Sequence, residues 1–114
     1  MSDARAHSRI NVVWRAAIQI APGQIVPAKV LNFSASGILL QCAHLVRDGQ
    51  TYNMMMEVPH PKDASRRTQV VCKARCAYCT LSGDEYRAGM RYFEVPEQHA
   101  ELLASWGGTP VADE

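Results

Sequence analysis

The 114-residue chain has no apolar run of membrane-spanning length, and Ser2, Asp3, Arg5, His7 and Arg9 interrupt any signal segment near its start. A cytoplasmic protein without membrane insertion is therefore expected. Acidic residues are missing from Ala4 to Arg47, where Arg5, Arg9, Arg15, Lys29 and Arg47 carry the charge. Lys and Arg are missing from Pro96 to Glu114, which holds Glu97, Glu101, Asp113 and Glu114. A net charge of only +1 excludes a strongly basic partner of nucleic-acid polymers, but the asymmetry draws a small anion with a few phosphates to the first half. No serine or cysteine sits in a nucleophile turn with a partner base, and His7, His44, His60 and His99 are scattered, so nothing calls for hydrolysis. Neither an enzyme nor a cofactor is expected. There is no internal repeat and no low-complexity tract.

What is present is one domain's worth of chain with 47% apolar residues, enough to close one core without disulfides or metal. The four cysteines, with no signal segment ahead of them, read as reduced thiols buried as small hydrophobes. The first nine residues are small, polar and charged and form an arm, the domain runs from residue 10 to 106, and 107–114 is a tail.

Strand signals then follow one another. Val12, Val13, Trp14, Ile18 and Ile20 favour a strand that ends at Pro22-Gly23. A second strand runs from about Gln24 to Leu31, with Pro27 placed where no ladder donor is needed, and Asn32 to Gly37 (NFSASG) is turn chemistry. Further strands cover Ile38 to Cys42 and Thr51 to Val58, the latter broken by His60-Pro61-Lys62-Asp63. Three consecutive methionines, Met54, Met55 and Met56, could make an adaptable contact surface, but core packing that leaves one of them exposed is the expected reading.

The alternation is clearest at Val70, Cys72, Ala74, Cys76 and Tyr78 against Gln69, Lys73 and Arg75, which places Tyr78 in the core. After Ser82-Gly83-Asp84, Tyr86, Ala88, Met90 and Tyr92 return as the second strand of a hairpin. Pro96 suits a first helical position, and His99, Leu102, Leu103 and Trp106 fall at helical spacing. Six strands and one short C-terminal helix, with no crossover helix between strands, predict a mainly β, six-stranded antiparallel barrel.

Cys72, Cys76 and Cys79 have the CxxxCxxC spacing with which radical S-adenosylmethionine enzymes hold an iron-sulfur cluster. Cluster ligands belong on a loop. Here they fall in an alternating strand, which puts Cys72 and Cys76 on one face and Cys79 on the other, and neither His44 nor His60 lies at zinc-ligand spacing from them. No metal site is expected.

The remaining constellation is Arg5-Ala-His-Ser-Arg9 followed by Asn32-Phe-Ser-Ala-Ser-Gly37. A guanidinium suits phosphate because its planar fork donates two parallel hydrogen bonds, and its face stacks on a purine. Asn32 and Ser34 can fix a turn and offer hydrogen bonds, while Gly37 permits a positive φ or close backbone approach to a ligand. An RxxxR element ahead of the first strand, then [D/N]xSxxG between the second and third, resembles the PilZ domain family of bacterial cyclic di-GMP receptors. The likeness spans roughly Arg5 to Trp106, and Ala74 to Tyr78 and Tyr86 to Phe93 resemble that family's late strands.

The resemblance implies a PilZ-like barrel in which Arg5 and Arg9 clamp phosphates and guanine, and Asn32, Ser34 and Gly37 bind guanine or shape the loop that does. It offers Tyr78 a stacking role, against its core reading. It also implies a receptor or adaptor that binds cyclic di-GMP and regulates a protein target in trans, in motility, pili, biofilm or exopolysaccharide production. The alternative it leaves is a PilZ-like interaction module that does not bind the nucleotide.

Overall fold

The structure is a computed structural model that describes residues 9–34 and 36–107. Arg5, the rest of the 1–8 arm and the 108–114 tail lie outside the described residues. Among the described residues six strands precede one helix: β1 (Ile10–Ala21), β2 (Gln24–Phe33), β3 (Gly37–Cys42), β4 (Thr51–His60), β5 (Asp63–Ser82), β6 (Glu85–Glu94) and α1 (Glu97–Gly107). All pairings are antiparallel, and the order β1-β2-β3-β6-β5-β4 closes into a barrel, as the strand and turn spacing predicted. Closure rests on a short seam in which Ala16, Ala17 and Ile18 face Met56, Met55 and Met54.

Local chemistry explains the turns. Pro22-Gly23 joins β1 to β2 with Gly23 at φ +76°, the position where a type II turn needs a positive φ. Pro27 faces Ala17 on β1 and lies before the β2–β3 pairing begins at Ala28, so its missing N–H breaks no ladder. Met54 and Met56 are buried and Met55 is half-buried between Ala17 and Val71 on the outer face.

The core is the inner face of the barrel, with Ile18, Val30, Leu40, Met56, Val70 and Ala74 fully inside. One end is closed by the loop after β3, where Val46 is buried and the Arg47 N–H donates to the Tyr52 hydroxyl at 2.9 Å. The other end is closed by α1. Its Trp106 packs edge-on against Trp14 (ring centroids 5.5 Å apart) and donates its indole N–H to the Pro59 carbonyl at 2.6 Å. Pro96 flanks α1 instead of being its first residue, and its carbonyl accepts from the His99 and Ala100 N–H groups.

Several boundaries differ from the sequence reading. β5 starts at Asp63, seven residues before its alternation becomes visible at Val70, because Pro61-Lys62 forms a hairpin turn and does not end the sheet. The ribbon from Asp63 to Gln69 pairs with β4 alone and is exposed on both faces, so it carries no apolar period to read.

Alternation fails at the far end of β5 for another reason. Cys76 faces Met90 but Tyr78 faces Gly89, so two β5 residues oppose one on β6 and the bulge exchanges inside for outside. Tyr78 is consequently 48% exposed and not in the core, and Cys79 turns inward against the core, on the same face as Cys72 and Cys76 instead of the opposite one.

All four cysteines are free thiols. Burial raises the Cys72 and Cys76 thiols to about 11 from 9.0, and Asp48 adds to the effect at Cys76. Because their folded-state values lie above the unfolded one, the stabilisation of the neutral thiols is complete below about pH 9. It is lost as pH rises from about 9 toward 11. Denaturant midpoints measured across that window are expected to fall, and a Cys72→Ala, Cys76→Ala protein is expected to lose less of its midpoint over the same range.

Candidate functional site

The NFSASG segment folds at the α1 end of the barrel, and β2 runs two residues further into it than predicted. Phe33 is the reason: it is buried, its ring lies 4.7 Å from that of Trp14, and it holds the strand to the core. Asn32 consequently sits in the sheet, opposite Asn11 on β1 and Leu39 on β3. The Ser34 N–H donates to the Gly37 carbonyl at 2.8 Å, closing the hairpin.

Ser34, only 3% exposed, spends its hydroxyl inside the loop. Its Oγ accepts the Ser36 N–H at 3.2 Å and lies 3.2 Å from Ser36 Oγ, an arrangement that stabilises a tight Ser turn. Gly37 is packed against β6. A Cβ there would meet the Met90 carbonyl oxygen at 2.1 Å, so the close approach of β3 to β6 requires glycine. The Tyr92 N–H donates to the Ser36 carbonyl at 3.0 Å and ties the far side of the loop to β6. In this geometry Ser34 and Gly37 shape the corner, while Asn32 presents a side-chain amide on it.

Arg9 precedes β1, and its Nη1 donates to Asn32 Oδ1 at 2.7 Å in an exposed hydrogen bond. Bulges explain how the two motifs meet. Three steps of β1 from Asn11 to Trp14 match two steps of β2, and two steps of β2 from Val30 to Asn32 match one of β3. Extra residues at both places bend the strand ends, and the start of β1 is brought over the end of β2. The structure therefore joins Arg9, Asn32, Ser34 and Gly37 at one corner; Arg5 lies outside the described residues.

Two residues at the corner were not legible as site residues. Phe33 anchors the motif, and its sequence signal is an apolar side chain inside an otherwise polar run. Tyr92 was readable only as a core residue of its strand. Its hydroxyl is buried with no hydrogen-bond partner among the described residues. Burial pushes its titration upward, Cys72 adds to this, and the Arg9 guanidinium opposes it. An unsatisfied buried hydroxyl costs about 1–3 kcal/mol, so Tyr92→Phe is expected to leave stability unchanged or raise it by up to about 1 kcal/mol, read by urea unfolding.

Tyr78 lies on the outer face with its ring over Gly89, where a Cβ would meet ring atom Cε2 at 2.2 Å. Gly89 faces Leu39, which faces Asn32, so one row of the outer sheet runs from the corner to this aromatic ring. Among the described residues, no group of three or more His, Cys, Asp or Glu side chains is arranged to hold a metal ion, and no helix is long and apolar enough to cross a membrane.

A family model described as the PilZ domain matches residues 3–106. Among solved structures, the chain is similar to the inhibitor of motility MotI (DgrA) of Bacillus subtilis, with a TM-score of 0.74 and 17% identity over 88% of this chain and 48% of that one. It spans about half the length of MotI. It is also similar to the PilZ domain of YcgR from Escherichia coli, a structure with c-di-GMP, with a TM-score of 0.61 and 13% identity over 85% of this chain and 84% of that one. At these identities the likeness concerns the fold. No curated protein sequence matches the chain.

Proposed function

The chain belongs to the PilZ domain family, and we propose on that premise that it is a cytoplasmic receptor for cyclic di-GMP that acts through its surface and not through covalent chemistry. The observation that carries this reading is the 2.7 Å bond between Arg9 and Asn32, which brings the last residue of one motif onto the first residue of the other. A guanidinium that reaches Asn32 also reaches a ligand seated over it. That the PilZ domain of YcgR was solved with c-di-GMP supports the choice of ligand.

In this reading Arg5 and Arg9 donate to phosphate oxygens and stack on a guanine, the Asn32 amide bonds a guanine edge, and Ser34 with Gly37 holds the corner rigid. The Arg9–Asn32 bond is then one that ligand binding exchanges for bonds to phosphate. The exchange costs little, because an exposed neutral acceptor gives way to a charged one. With the ligand in place, the segment carrying Arg5 and Arg9 is fixed over the corner, and the altered surface is what a protein target acting in trans reads. Motility, pili, biofilm or exopolysaccharide production is the regulated output.

Calorimetric titration with cyclic di-GMP, joined to backbone NMR, tests the proposal. Saturable heat with coincident shifts of Arg9, Asn32, Ser34, Ser36 and Gly37 is expected. A flat titration with an unmoved corner overturns it in favour of an interaction module that binds no nucleotide.

A further inference from the structure

The outer face beside the corner carries an arrangement that the two motifs do not use. Where β5 and β6 pair, four cations line the ribbon: Lys73, Arg75, Arg87 and Arg91. Two have partners. Lys73 faces Glu94 with Nζ 3.9 Å from Oε1, and Arg87 Nε donates at 3.2 Å to Gln41, whose amide donates in turn to Glu85. Arg75 and Arg91 are placed directly opposite one another, both are exposed, and neither has a hydrogen-bond or acidic partner among the described residues. Like charges directly across an antiparallel pair are destabilising, and their Cβ atoms stand only about 4.5–5.5 Å apart. The register therefore sets two exposed cations on facing positions, and no acidic side chain among the described residues pairs with either.

Their position gives the pair a use. Arg91 faces Gly37 on its other side, and Gly37 bonds to Ser34, so a single row across the sheet runs Ser34, Gly37, Arg91, Arg75. With strands about 4.8 Å apart, Arg91 stands roughly 10 Å from the β2 end of the corner, and the buried Gly37 lies between. The next outward row carries the exposed Tyr78 ring. We propose that Arg75 and Arg91 form a second anion site, a two-guanidinium clamp for a phosphodiester, contiguous with the Arg9–Asn32 corner. Two forks on adjacent strands suit the oxygens of one phosphate better than either would alone, and the negative charge of the bound phosphodiester offsets the repulsion between them. The inference that this phosphodiester belongs to a cyclic dinucleotide rests on the function proposed above; the clamp itself rests on the register.

Two phosphodiesters fit the site chemically, the second phosphate of the nucleotide held at the corner or a phosphate of a second copy. Titration of the full chain and of an Arg75→Gln, Arg91→Gln protein with cyclic di-GMP separates them. Affinity about ten-fold weaker at unchanged stoichiometry assigns the clamp to the same molecule, and a fall from two ligands to one assigns it to a second copy. Unchanged affinity and stoichiometry overturn the clamp. Inorganic pyrophosphate supplies a probe that does not depend on the nucleotide: the Arg75 and Arg91 Nε–H resonances are expected to shift saturably, with the exposed Arg66 as the internal control. If the full chain ignores cyclic di-GMP, the receptor reading fails and pyrophosphate alone decides the clamp; shifts no larger at Arg75 and Arg91 than at Arg66 overturn it. A melting temperature of the double variant at or above that of the parent chain shows that the variant is folded.

Discussion

Replacement of Arg9 by alanine is expected to weaken cyclic di-GMP binding by about ten-fold to a hundred-fold while leaving the melting temperature nearly unchanged. The magnitude follows from losing one charge-assisted contact to phosphate, about 1.5–3 kcal/mol for a hydrogen bond to a charged group. The unchanged stability follows from where Arg9 stands: its bond to Asn32 Oδ1, the one it makes among the described residues, is exposed and holds no part of the core. Surface substitutions of this kind stay within about 0.5 kcal/mol. Arg9→Lys is expected to recover only part of the loss, since an ammonium has the charge but not the planar fork. Calorimetry on the three proteins at one fixed ionic strength makes the comparison. Equal affinity for all three would remove the guanidinium from the binding account.

The largest effect on the fold is expected from Gly37→Ala. The added methyl meets the Met90 carbonyl oxygen at 2.1 Å and its carbon at 3.1 Å, both backbone atoms that lie in the β3–β6 ladder. Neither can swing away, so β3 and β6 must part where Ile38 and Met90, both buried, face each other. Overpacking of this kind costs about 3 kcal/mol or more, a drop of roughly 10 °C or more in melting temperature for a domain of this size.

Gly89→Ala provides the internal contrast. Its methyl also collides, at 2.2 Å, but with the half-exposed ring of Tyr78, a side chain that can rotate outward. Its cost is expected to stay near 1 kcal/mol, and Gly89→Ala combined with Tyr78→Ala is expected to lose less than the sum of the two single changes. Thermal unfolding of these variants distinguishes a backbone-limited glycine from one shadowed by a mobile ring.

How far the site could be read in advance differs residue by residue. Arg9, Asn32, Ser34 and Gly37 stood out as candidates because each is a residue type whose chemistry is local: a fork for phosphate, short polar groups for a turn, a glycine for a positive φ or for close approach to a ligand. Their division of labour was not identifiable. That Ser34 is buried and turned into its own loop, that Gly37 is required by a carbonyl of β6, and that Tyr92 buries a hydroxyl with no partner among the described residues all depend on strands that meet only after the barrel closes.

The sequence by itself determined the number of strands, most of their turns and the terminal helix, because alternation, Pro-Gly and Gly-Asp pairs and a helical spacing of apolar residues act within a few positions of each other. Only the tertiary structure decided where those rules are broken. The bulge that sends Tyr78 outward and Cys79 inward, the ribbon before Val70, and the opposition of Arg75 and Arg91 are matters of register between strands, and a one-residue slip against a neighbour reverses faces without leaving any mark on the strand's own pattern.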